Sequence, residues 1–293
     1  MSPGSTPGGG QGDLAFGAFQ RGYYLTAFAL ATTRATEQSD PKSMTLLGEL
    51  YANGLGVPQD DKKAASWYKL AADRGDREAM FALAIFDVAG RAGPRDRLAS
   101  AKLLAAAAKL GQPLAAYDLA LLYLEGQLFP QNFNRAAELL RTAAQSGNAD
   151  AQYALGTLYK EGRGVPQNKQ EAVRLFGLAS VGDNTEAKVE YAIALYNGDG
   201  VQRNQQAAIT LFHQAALKNN PVAQDRFAHI LAAGVAAPAD PVAATRWWLI
   251  SKASGETDLT LDDFVNKLDP DKRAEGEKQA QKWLDALKKP GLQ

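Results

Sequence analysis

Hydrophobic positions along this chain fall into pairs of short helical stripes, and the pair returns every 36 residues. In the first pair Leu47, Leu50, Tyr51 and Gly54 lie at three- and four-residue spacing. That spacing predicts a helix over roughly 42–53, here helix A. After a short loop, Ala64, Trp67-Tyr68 and Ala71-Ala72 mark one face of a second helix, helix B. The helix-B stripe recurs as Ser100/Leu103-Leu104/Ala107-Ala108, Ala136/Leu139-Leu140/Ala143-Ala144, Ala172/Leu175-Phe176/Ala179-Ser180, Ala208/Leu211-Phe212/Ala215-Ala216 and Ala244/Trp247-Trp248/Ser251-Lys252. Its small residues let helices approach closely, and the large pair fills the space between units. Ala79, Ala115, Ala151, Ala187 and Ala223 begin the next helix A each time.

Two polar registers punctuate this pattern. Gly54, Gly90, Gly126, Gly162, Gly198 and Gly234 each follow the last turn of a helix A. Only glycine takes the left-handed cap conformation there at little cost, so replacement by alanine is worth about 1 kcal/mol per site. Six residues later come Asp60, Asp96, Asn132, Asn168, Asn204 and Asp240. A side-chain oxygen at that point caps the free N–H groups opening helix B. The residue alternates between Asp and Asn while the acceptor is always present, which argues for capping and not for charge. Gly75, Gly111 and Gly147 end helix B; in the next unit Gly182 stands one position early, and Asn219 substitutes in the one after.

A fixed period held this long marks a solenoid of helical hairpins. The length of 293 residues suggests about two compact domains by itself. A solenoid is exempt, because each unit buries its apolar side only against its neighbours.

The residues carrying the pattern resemble a known family. Leu47-Gly48-Glu-Leu-Tyr51-Ala-Asn-Gly54-Leu-Gly56-Val57-Pro-Gln-Asp60, with Ala64 and Trp67-Tyr68, is similar to the Sel1-like repeat, a relative of the tetratricopeptide repeat. So is Leu155-Gly156-Thr-Leu-Tyr159-Lys-Glu-Gly162-Arg-Gly164-Val165 with Ala172, Leu175-Phe176 and Ala179. The resemblance covers roughly residues 40–255. The second unit departs from it, with Asp87 for the tyrosine and Ala92-Gly93 for Gly-Val, and the sixth has Ala236-Ala237. It implies a bacterial, all-α protein folded as a right-handed α-α superhelical solenoid with capping helices at both ends. The expected organisation is a flexible Gly/Pro/Ser leader over 1–12 and a capping hairpin over 13–39. Six repeats follow, at 40–75, 76–111, 112–147, 148–183, 184–219 and 220–255, then capping helices and a tail over 256–293. In that tail, 261–268 reads as a short helix stopped by Asp269-Pro270. The stretch 271–288 reads as an amphipathic cap carrying Trp283, Leu284 and Leu287.

Composition narrows the functional classes. The chain has 32 basic and 32 acidic side chains. Nucleic-acid binding draws on a basic surplus that is missing here, so no nucleic-acid partner is expected. Without cysteine, disulfides, thiolate zinc sites and Cys nucleophiles are excluded. No apolar stretch reaches the ~18 residues of a membrane span. The first twelve residues lack the charged and apolar regions of a secretory signal and read as a linker. The resemblance points to an exported, periplasmic protein, with the cytoplasm as the alternative.

Chemistry-bearing strings are few. Ser66-Trp-Tyr-Lys69 has the Ser-x-x-Lys form of penicillin-interacting enzymes. Its position holds Lys102, Glu138, Arg174, Thr210 and Arg246 in other units, and no Ser-Asp-Asn or Lys-Thr-Gly string accompanies it. A second such string, Ser39 to Lys42, lies at a helix start. Gly54-x-Gly56, Gly162-x-Gly164 and Gly198-x-Gly200 follow helices, unlike phosphate loops. Glu125 and Glu161 share one register in adjacent units, but an open groove does little to raise a carboxyl pKa. The two histidines, His213 and His229, hold unrelated registers, and no ligand spacing joins them. No catalytic residue, metal or cofactor is assigned. A cell-wall-directed hydrolase or penicillin-interacting protein is the alternative to the binding role developed next.

In tetratricopeptide relatives helix A lines a concave groove, and the resemblance transfers that role to residues just off the packed stripe. These are Phe81, Ile85, Val88, Tyr117, Leu121, Leu124, Tyr153, Thr157, Lys160, Ile193 and Tyr196. Position 45 and its equivalents read equally as inter-helix packing. Position 49 and its equivalents, among them His229, are expected in the groove, with burial by a tight superhelical curvature as the alternative. The expected function is a non-enzymatic scaffold holding a protein or peptide segment there, with a regulatory role in the bacterial envelope.

Overall fold

The computed structural model describes residues 13–288, so the leader expected over 1–12 and the last five residues lie outside it. The described residues form sixteen α-helices and no strand. They divide into two compact units, one ending at Ala143 and one starting at Ala144.

The first unit contains α1 (Leu14–Gln20), α2 (Tyr24–Glu37), α3 (Pro41–Asn53), α4 (Asp61–Ala72), α5 (Arg77–Ala89), α6 (Arg97–Lys109) and α7 (Pro113–Glu125). Each packs on the next in chain order. Ala27, Ala31 and Ala35 recur at four-residue intervals on α2, so one smooth stripe meets Leu47 and Leu50 of α3 in a shared core. α8 (Phe133–Gln145) carries the boundary between the units.

The second unit contains α9 (Ala149–Glu161), α10 (Lys169–Val181), α11 (Thr185–Asn197), α12 (Gln205–Leu217), α13 (Pro221–Ala233), α14 (Pro241–Ala253), α15 (Leu259–Asn266) and α16 (Pro270–Leu287). Helices α9 to α14 stack in chain order, and α16 closes the row by packing on α14. Trp247 and Trp248 are fully buried, and Leu261, Val265 and Ala280 of the last two helices join their cluster. Gly276 lets α16 come close, since a Cβ there would stand 2.6 Å from Cβ of Thr245. Asp269 and Pro270 open α16 as its N-cap and first residue. Trp283 and Leu284 pack inward. Leu287 is the exception to the expected inner face: it is 46% exposed.

The glycine register ends α3, α5, α9, α11 and α13 with φ between 64° and 77°, and Gly126 ends α7 at 70°. The Asp/Asn register does two jobs. Asp60 Oδ1 accepts from the Lys63 N–H (3.0 Å), while its own N–H donates to the Tyr51 carbonyl (3.0 Å). Asp96, Asn132, Asn168, Asn204 and Asp240 repeat both bonds. One residue thus caps helix B and ties it to the end of helix A.

At the end of α10 the geometry differs from the sequence reading. Gly182 has an ordinary φ of −74°, and Asp183, on the 36-residue register, takes the left-handed conformation at 72°. Asp is among the few side chains that tolerate it. Lys188 Nζ (2.5 Å) and Lys218 Nζ both donate to its carboxylate. Gly182 is needed for space instead, because a Cβ there would sit 2.7 Å from that of Ala149.

Candidate partner-binding site

Helix B supplies a floor and successive helices A supply walls. Between α9 and α11, over Phe176 of α10, lies a hollow of about 280 Å³. Lys160 and Ile193 line it, with Glu190 opposite. Lys160 Nζ donates to both Glu190 carboxylate oxygens, at 2.8 and 2.7 Å, and so bridges the two walls. Tyr153 stands against Phe176 with ring centroids 5.8 Å apart. Burial, and then the Glu190 charge, push its hydroxyl pKa upward. Thr157 Oγ1 donates to the Tyr153 carbonyl at 3.1 Å.

A second hollow, of about 330 Å³, lies between α11 and α13 over Phe212 of α12. Ile193, Tyr196 and Ile230 are its apolar lining, and Asn197, Arg226 and His229 its polar rim. That volume is near the lower end for ligand pockets, roughly 300–1,000 Å³. Arg226 is exposed and makes no salt bridge among the described residues, though its charge is felt by Asp225 beside it. The rim thus sets the Arg226 guanidinium and the His229 imidazole, with Asp225 and Asp258 beside the imidazole, over an apolar floor.

In the first unit a hollow of about 470 Å³ joins α3 to its neighbours. Thr45, Leu46 and Glu49 line it with Phe16, and Asp13, Asp76 and Glu78 outnumber Lys42. Burial pushes the Glu49 carboxyl upward. Of the other first-unit candidates, Ile85 and Val88 are exposed, while Phe81, Tyr117, Leu121 and Leu124 are half-buried. Within the position-45 register only Val189 is buried, at 6% exposure.

Helix A has its own N-cap series, which the sequence reading missed. Asp40, Asp76, Gln112, Asn148, Asn184 and Asn220 accept from the N–H three residues on. They stand 36 residues apart, so a third polar register was available in the chain. Also missed was the company His229 keeps. Its Nε2 lies 2.8 Å from Asp258 Oδ2, and Asp225 stands one turn away on α13. Burial pushes the Asp225 carboxyl up. Burial works the same way on Asp258, but the Leu261 N–H and His229 outweigh it and hold that carboxyl low. His213 is exposed, with its ring on Phe227 (5.0 Å between centroids).

The strings weighed for hydrolysis lie in ordinary helix surface. Ser66 is exposed and its hydroxyl donates to the Lys62 carbonyl at 2.8 Å. Glu125 is exposed and pairs with Arg97 (3.7 Å); Glu161 is exposed and pairs with Arg163 (3.1 Å).

A profile of the Sel1 repeat matches residues 41–76, 77–112, 113–148, 149–180 and 185–220, more than half of the chain. The chain belongs to the Sel1-repeat family. Sel1-repeat proteins are in general protein-interaction scaffolds and not catalysts. A search of curated proteins finds no match. Among solved structures, the crystal structure of c5321, a protective antigen of uropathogenic Escherichia coli strains with an SLR fold, aligns with a TM-score of 0.75 at 26% identity. The alignment covers 94% of this chain and 63% of that one, so the chain spans less than two thirds of that relative. A Sel1 repeat protein from Oxalobacter formigenes aligns with a TM-score of 0.68 at 23% identity, over 83% of this chain and 97% of its own. These likenesses fit an all-α solenoid of helical hairpins. Among the described residues no helix is long and apolar enough to cross a membrane.

Proposed function

We propose that this Sel1-repeat protein is a non-enzymatic scaffold that holds an extended protein segment along the helix-A face. The hollow over Phe212 carries the reading. It offers an apolar seat for one or two side chains, and beside it an exposed guanidinium, that of Arg226, which makes no salt bridge among the described residues. A peptide with an apolar residue followed closely by a carboxylate satisfies both. The neighbouring hollow over Phe176 extends the same surface by one hairpin. The hairpin α13–α14 lies beyond the five matched repeats but carries the same glycine and aspartate caps, Gly234 and Asp240. We count it as a sixth repeat.

An envelope location is part of the proposal. The Escherichia coli relative is described as a protective antigen, which supports an exported protein. A regulatory role follows for a module that captures a segment and does no chemistry on it.

Selection from a random peptide library displayed on phage tests the reading. Enriched peptides should pair an apolar side chain with an acidic one and lose binding to an Ile193→Asp, Tyr196→Ala variant of unchanged helicity. No enrichment, or enrichment indifferent to that variant, contradicts it. Hydrolysis of a β-lactam or glycan that disappears in Ser66→Ala contradicts the non-enzymatic part.

A further inference from the structure

Three side chains at the C-terminal end of the second unit converge as ligands do. Asp225 and His229 are four residues apart on α13 and share one face. Asp258, the N-cap of α15, completes the group, and one donor atom from each of the three lies within 4.8 Å of the others. Asp258 is held for this purpose by its second oxygen. Oδ1 accepts from the N–H groups of Thr260 (2.7 Å) and Leu261 (2.9 Å), leaving Oδ2 aimed at His229 Nε2. Among the described residues nothing donates a hydrogen bond to the Asp225 carboxylate, though it is half-buried. The charges facing it are His229, Arg226, Asp258 and Glu256, so carboxylates outnumber the permanent cation.

We propose that Asp225, His229 and Asp258 bind a zinc ion. Zinc takes imidazole nitrogen and carboxylate oxygen at about 2.0–2.2 Å and accepts three protein ligands with water in the fourth place. Ligands on such an ion stand about 3–3.5 Å apart, so a rotamer adjustment of roughly an ångström closes the group around it. The imidazole argues against magnesium or calcium, which prefer all-oxygen sites. The ion would clasp α13 to the start of α15 and so fasten the C-terminal cap to the hairpin before it. His229 also lines the hollow over Phe212, yet this inference stands without the peptide-binding reading.

The test uses the whole chain, without a histidine tag and stripped with a chelator. Zinc chloride titrated into it calorimetrically should give one ion per chain and raise the thermal midpoint. The chain has two histidines, so a long-range ¹H–¹⁵N spectrum of the imidazoles resolves His213 and His229 separately. Zinc should move only the His229 signals, and magnesium at equal concentration should move neither. His229→Gln, Asp225→Asn and Asp258→Asn should each weaken binding by more than about a hundredfold, the upper end of what outer-sphere partners alone cost. The last keeps a capping oxygen for α15, and His213→Gln should bind like the parent chain. An unshifted His229, equal uptake by the Asp225→Asn, His229→Gln double variant, or an equal response to magnesium overturns the proposal.

Discussion

Gly48 has no room for a side chain: a Cβ there would stand 2.5 Å from the Tyr68 ring. Gly75 has open space around it but a φ of 85°. The first contact is an overpacked core, costing roughly 1–3 kcal/mol; the second is backbone strain alone, about 1 kcal/mol. Urea denaturation should therefore rank Gly48→Ala as more damaging than Gly75→Ala, and the reverse order would show that Tyr68 yields freely. Asp183 sets a second test. Its two lysine partners hold its carboxyl down to about 2, from an ordinary 3.8. A depressed folded pKa means stability present above the unfolded value and lost as pH falls through the folded one. Asp183→Asn should lower the thermal midpoint above pH 4, and the gap should close near pH 2. Sequence spacing reached residues such as Gly54 and Asp60 because a periodic residue reports a periodic backbone need. Asp183 escaped, because its left-handed turn is supported by Lys188 in the first turn of α11 and by Lys218 at the end of α12, and the second of these lies 35 residues away.

Helices here are short, mostly thirteen residues, and near the limit of what holds together without tertiary support. Their ends matter accordingly. Replacing Asp240 by alanine removes the bond to the Ala243 N–H (2.9 Å) and should cost about 1 kcal/mol, whereas Asp240→Asn should be close to neutral. Equal losses from both would mean that charge, not capping, is what the register supplies. The helix-B caps were legible through their constant acceptor chemistry. The helix-A caps were not, because Asp, Gln and Asn share that register and one kind of acceptor hides behind three residue names. The Asp225–His229–Asp258 group was hidden for another reason: its third member comes from a loop 29 residues beyond His229, outside any repeat register.

For the molecule, the repeat period foretold helical hairpins packed in chain order, which both units display. What a face binds is another matter, since groove residues differ from unit to unit where caps do not. In the first unit, Ile85 is 41% exposed and Leu121 half-buried. The Ile85→Asp, Leu121→Asp variant should keep its melting temperature within about 5 °C, given that 1 kcal/mol moves a chain of this size by roughly 2–4 °C. A collapse would assign both residues to the core. The most direct test of a helix-A binding face is hydrogen–deuterium exchange of the chain with and without a selected peptide. Protection should gather on α9, α11 and α13. Protection confined to α10, α12 and α14, or none at all, would contradict the scaffold reading.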